Sequence, residues 1–219
     1  VGYNVLAGNT SGTTNTAVGS YALDANTTAS NNTAVGYGSL GTNTTGAGNA
    51  ALGKFSVFSN TTGGNNVGIG YYALYTNSTS SYNTAVGNAA MENSTTGTGN
   101  TAIGASALNG ATEGDYNVAI GYNAGLAITT GNRNVAVGST SLDACTTGIY
   151  NVAVGNAALG SVIDGNYNTA IGTNTGAAIT EGHRNTLLGR DSGVVISSGD
   201  NNTCVGYEAG ISGSPGGAI

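Results

Sequence analysis

The sequence predicts an all-β fold, a parallel β-solenoid (β-roll) in which one 17-residue repeat makes one coil. Three observations carry the prediction: a motif of the type Asn-Thr-Ala-Val-Gly returns at a constant interval, each copy is rich in glycine and small residues, and helix-forming residues are scarce. With the motif asparagine as position one, copies begin at Asn15, Asn32, Asn49, Asn66, Asn83, Asn100, Asn117, Asn134, Asn151, Asn168, Asn185 and Asn202, without insertion or deletion. A fixed short period is the signature of a stacked architecture. Val1-Gly2 falls on positions four and five, so residues 1–14 read as a copy lacking its first three residues. The expectation is one continuous repeat domain over 1–219, with a partial repeat at 1–14, regular coils over 15–211 and a decaying end at 212–219.

Position one is always Asn, which predicts an amide ladder up the rod, each side chain bonding to the copies above and below. Positions two to four, such as Thr16-Ala17-Val18, alternate like a short strand, with Val, Ile or Leu always at position four. Position five is always Gly, as in Gly19, Gly36, Gly53 and Gly70. A corner with positive φ, or a backbone approach too close for a Cβ, explains that choice. Positions six to ten, for instance Tyr71-Tyr72-Ala73-Leu74-Tyr75, read as a second short strand. Positions thirteen to fifteen, Thr44-Thr45-Gly46 and its relatives, read as the next corner. In-register stacking at about 4.8 Å per coil gives a rod on the order of 60 Å long.

Alternation puts positions two and four on one strand face, and positions one, three and five on the other. The first face is Thr or Val with a larger aliphatic residue; the second is Ala and Gly beside the Asn. Neither resembles a solvent surface, which predicts one face turned into the coil and the other packed on a partner, with the small-residue face as the intersubunit seam. From about residue 124 a second dialect begins. Gly125, Gly176 and Gly193 replace Leu at position nine, while Ile128, Ile179 and Ile196 stand at position twelve, where the first half has Asn26, Asn43, Asn60 and Asn77. This predicts that the second strand or its following corner is rebuilt. Ser212 to Gly217 erode the pattern, and Pro215 lacks a ladder donor. The end coils are expected to need covering by a neighbouring domain or another copy.

Four basic and ten acidic residues leave no cluster to contact phosphates, which argues against nucleic-acid binding. No apolar run is long enough for a membrane helix, so no membrane insertion is expected, and no signal peptide opens the chain. The missing initiator Met suggests a processed or partial chain. Cys145 and Cys204 lie four coils apart, about 19 Å, and should not bridge. His183, the only histidine, has no nucleophile motif pointing at it and reads as an exposed corner residue. The acids neither cluster nor match a calcium-binding roll. No catalytic residue, cofactor or metal is therefore assigned.

The run Asn-Thr-Ala-Val-Gly, followed by Ala-Leu and Asn-Thr-Thr-Gly, resembles repeats of phage tail-fibre and related bacterial surface proteins. Val118-Ala119-Ile120-Gly121 is also similar to the head repeat of trimeric autotransporter adhesins, though the unit here is longer. The resemblance implies a left-handed, trimeric roll, and an extracellular shaft or head segment of a virion or cell-surface appendage. As a fibre segment the chain would be a homo-oligomer, a trimer first, with head-to-tail filament growth a further option and a cell-surface receptor or glycan as partner. Two alternatives stand beside it. Tyr82, Tyr116, Tyr150 and Tyr167, all at position seventeen, form a column able to stack on glycans, or to cover a corner of the coil. The threonine pairs form ladders able to organise ice.

Overall fold

The computed structural model of the chain describes residues 1–210. The expected decay over 212–219, with Pro215, lies outside the described residues. Twelve strands, β1 (Thr16–Val18) to β12 (Thr203–Val205), each comprise positions two to four of a copy. They form one parallel sheet in sequence order. Register is strict: Thr16 pairs with Thr33, Ala17 with Ala34 and Val18 with Val35, and the rule holds to Leu187 with Cys204. The β-solenoid is therefore the fold. Among the described residues there is no helix, hence none able to cross a membrane.

Parallel strands so short survive because each coil is bonded on both sides. The position-two N–H donates to the next coil (Thr16 N to Asn32 O, 2.8 Å), and the position-five N–H donates to the preceding one (Gly19 N to Val1 O, 2.8 Å). The second of these bonds seats residues 1–14 on the stack. At position five both reasons for glycine hold together: Gly104 has φ +134°, and a Cβ on it would lie 2.4 Å from the carbonyl oxygen of Gly121 in the next coil.

The second strand is absent. Positions six to ten are turns, because positions seven and nine are left-handed in coil after coil, as at Tyr72 (φ 58°) and Leu74 (φ 54°). No strand accommodates two such residues. The curl they produce drops positions eight and nine together into the interior, where Ala73 and Leu74 are fully buried.

The strand faces are assigned opposite to the expected seam. Position three is the buried residue of the strand, while positions two and four point outward. Ala85, Ala102 and Ala119 are fully buried, whereas Leu52 and Ile103 are 50% and 40% exposed. The small-residue face therefore lines the coil's own interior and cannot be a seam between chains. The physical reason is width: the interior holds the Asn side chains and about one large aliphatic group per coil, so where position nine or twelve supplies that group only a small residue fits beneath the strand.

The cross-section is also not rebuilt in the second dialect. Position nine keeps its left-handed turn whether occupied by Leu108 (φ 49°) or Gly125 (φ 60°). What changes is the side chain that fills the same space. A Cβ on Gly125 would meet the Cδ1 of Ile128 and the Cδ2 of Leu108, each at 3.0 Å. Ile128 and Ile179 are thus interior substitutes for the missing leucines, and both are buried. Leu187 extends the principle to position three: it reaches over Gly176 and Gly193, whose Cβ atoms would lie 2.8 Å from its methyls.

Candidate functional site

The side chains the sequence singles out form columns along the rod. The position-one asparagines are buried from Asn32 to Asn185 and do two jobs each. Nδ2 of Asn117 donates to Gly131 O at 2.8 Å, tying the two ends of its own coil together. Its Oδ1 accepts the backbone N–H of Asn134 at 2.9 Å, docking the next coil. The expected amide-to-amide contact is a third element of the later coils, from 3.3 Å between Asn100 and Asn83 to 2.8 Å between Asn202 and Asn185.

A regular amide ladder occurs instead at position twelve. Asn26 donates to Asn9, Asn43 to Asn26, Asn60 to Asn43 and Asn77 to Asn60, at 2.7 to 3.1 Å. It stops at Ser94, whose buried Oγ has no partner, and the Oδ1 of Asn77 takes the hydroxyl of Ser80 instead. Ser80 stands at position fifteen, where most copies have Gly. The sequence marks this ladder as a run of five asparagines, Asn9 to Asn77, with two coils between its end and Ile128, which opens the second dialect.

Position sixteen makes another ladder, in which a side-chain acceptor takes the N–H of the preceding coil. Asp115 receives Thr98 N (2.7 Å), Asn166 receives Ile149 N (2.7 Å) and His183 Nδ1 receives Asn166 N (3.0 Å). His183 is thus a half-buried link in the stack and not a fully exposed corner residue. Both cysteines are buried and free. Burial pushes the Cys145 thiol up to about 11, against an ordinary 9.0.

Threonines at position thirteen spend their hydroxyls internally, each donating to the next coil's backbone, as from Thr44 to Thr61 O (2.9 Å) and from Thr95 to Thr112 O (2.8 Å). The position-seventeen column is brought together by the fold, but largely against itself. Tyr150 and Tyr167 stack at 5.1 Å, and Arg133 lies over the rings of Tyr116 (5.7 Å) and Tyr150 (5.4 Å), bonding the Tyr150 hydroxyl. Gly99 separates Tyr82 from this group. A second aromatic group, at positions six, seven and ten, gathers six of the 12 tyrosines and both phenylalanines within residues 3–75.

The feature that sequence reasoning missed is the outward ladder of position four. Val18, Leu52, Ile69, Ile103, Ile120, Ile171, Leu188 and Val205 are exposed large aliphatic side chains on a single sheet face. Flanked at position two by Thr or Val, or by Ala50 in one coil, they make an apolar strip about 53 Å long for eleven strand spacings. The chain matches no known family model, no curated protein and no solved structure.

Proposed function

We propose that the chain is a structural segment of an extracellular fibre, the shaft or head of a virion or cell-surface appendage, built by copies that pack through the position-four strip. The observation that carries this reading is the uninterrupted outward row of Val, Ile and Leu from Val18 to Val205. A strip about 10 Å wide and 53 Å long offers roughly 500 Å² per chain, and apolar patches of that size on monomers are frequently interaction surfaces. Three strips meeting on one axis bury about 1,500 Å² in all, about 500 Å² for each pair of chains, so the trimer is held by its three contacts acting together. A trimer covers every strip and keeps the solenoids parallel. Its work is mechanical: the ladders hold the rod stiff, and its free corners and ends face a receptor.

Light scattering coupled to size exclusion tests this, with a species near three times the 21.2 kDa chain expected. Ile103→Glu with Ile120→Glu, two outward positions that leave the interior intact, should return a folded monomer. A wild-type monomer would refute the reading and leave the exposed strip to another use, with thermal hysteresis as the check for ice binding. A polydisperse, very large species would point to head-to-tail filament growth instead.

A further inference from the structure

The aromatic group of residues 3–75 is not required by the fold. Besides Tyr3, Tyr37 and Tyr71 at position six, its members occupy positions seven (Tyr21, Phe55, Tyr72) and ten (Phe58, Tyr75) of the turn, and in later coils the last two places hold Ala89, Ser106 and Asn123, or Glu92, Asn109 and Leu126. The backbone is the same with or without a ring, since Phe55 (φ 56°), Ala89 (53°) and Ser106 (56°) turn identically. The rings also lie outside the interior, which is filled by Ala and Leu.

Within this group one coil has lost both side chains. Gly38 stands at position seven and Gly41 at position ten, between Tyr21 and Asp24 on the coil before and Phe55 and Phe58 on the coil after. The deletion opens a cavity of about 350 Å³. Ligand pockets run from about 300 to 1,000 Å³, so this one suits a single ring-sized unit. Its walls are set edge to face: Tyr21 and Tyr37 at 5.6 Å and 71°, Tyr37 and Phe55 at 5.3 Å and 87°, Phe55 and Phe58 at 5.2 Å and 80°. Phe58 rests one face on Tyr75 (5.5 Å, 10°) and leans over Gly41.

The polar groups narrow the ligand class. Asp24 is the one charged residue lining the cavity, and no cation pairs with it among the described residues. Partial burial raises its pKa. At the rim the Lys54 ammonium lies over the rings of Phe55 (5.3 Å) and Tyr37 (5.9 Å). A second cation there would meet ring faces already engaged and a like charge, which disfavours a quaternary ammonium guest. A neutral ring with an apolar C–H face and vicinal hydroxyls satisfies both the aromatic walls and the carboxylate.

We propose that the slot over Gly38 and Gly41 is a binding site for one neutral hexose unit of a glycan, its C–H face on the aromatic walls and a pair of its hydroxyls donating to Asp24. The site is separate from the position-four strip and from the position-seventeen column, and it stands or falls independently of the assembly.

The test uses the full chain with choline and a set of methyl glycosides of glucose, galactose, mannose and their N-acetylated forms, read by saturation transfer from aromatic protons. At about 10 mM, ten times a millimolar Kd, at least one glycoside should receive transfer. Gly41→Leu, which pushes the Phe58 ring aside and crowds the slot at a position without positive φ, and Asp24→Asn, which preserves shape, should each weaken that glycoside tenfold or more. Both variants should keep the wild-type circular dichroism and the wild-type mass by light scattering. No transfer to any glycoside, binding unchanged in both variants, or transfer to choline alone would each overturn the proposal. A wild-type chain that binds the glycoside but is monomeric by light scattering would overturn only the fibre reading.

Discussion

Replacing Gly125 by Leu and Ile128 by Ala, singly and together, transplants into one coil the pairing that Leu108 and Ala111 make in the coil before it. Ile128 is 1% exposed, and truncating it to Ala empties the space that Gly125 also leaves open. The cost should be about 3 kcal/mol, within the range for buried Ile to Ala. Gly125→Leu alone forces a side chain into Ile128 and Leu108, whose methyls lie 3.0 Å from the would-be Cβ, and places a branched residue at φ +60°. Overpacking and the left-handed turn together should cost about 2 kcal/mol. In the double variant Leu fills the vacated volume and only the turn penalty and imperfect fit remain, about 2 kcal/mol in total. Additivity predicts about 5 kcal/mol, so the coupling is about 3 kcal/mol. Urea denaturation of the four proteins, followed by circular dichroism, measures it. Additive losses would refute the claim that positions nine and twelve share one interior volume.

Asn117→Asp removes the donor to Gly131 O and sets a carboxylate in its place; it should cost about 3 kcal/mol at pH 7, and recover in part at pH 4 relative to wild type, where the acid can donate again. Equal losses at both pH values would show that the donor is unimportant. Ser94→Asn combined with Ser80→Gly should lengthen the position-twelve ladder by one rung and raise stability by about 1 kcal/mol, read as a higher denaturation midpoint. A lower midpoint would contradict the reading of Ser80 as a terminator. The folded pKa of Cys145, about 11, exceeds its ordinary 9.0, so the folded chain holds the proton longer. The stability this contributes is complete below pH 9 and is lost as pH rises through 11, roughly 2 to 3 kcal/mol in all. Subtracting the pH profile of Cys145→Ala isolates it, and a flat difference would refute a buried neutral thiol.

Coil length, register and parallel stacking were legible because a constant interval between Asn15 and Asn202 leaves no other alignment. Which strand face turns inward was not. Period-two alternation separates Ala17 from Val18 but assigns no direction, and the direction follows from how little room the two Asn columns and Leu23 leave inside. The left-handed residues were hidden for a similar reason. Positions seven and nine carry Tyr21, Leu23 and Phe55, which do not advertise such a turn, and only occasional occupants, Gly38, Asn123 and Gly125, hint at it. The cavity could be read only in part. Gly38 and Gly41 stand out in a column of rings once positions seven and ten are known to lie on one outer corner, whereas the sequence alone reads positions six to ten as a strand.

The bonds that hold coil to coil run along the rod, while the chain itself runs around it. Force applied between the two ends of one molecule therefore loads only the outermost coil, and rupture peels the stack one turn at a time. Each turn released lengthens the molecule by about 55 Å, the contour of its residues less one 4.8 Å rise. An isolated rod would extend in even steps at nearly constant tension, lengthening under load before its joints fail.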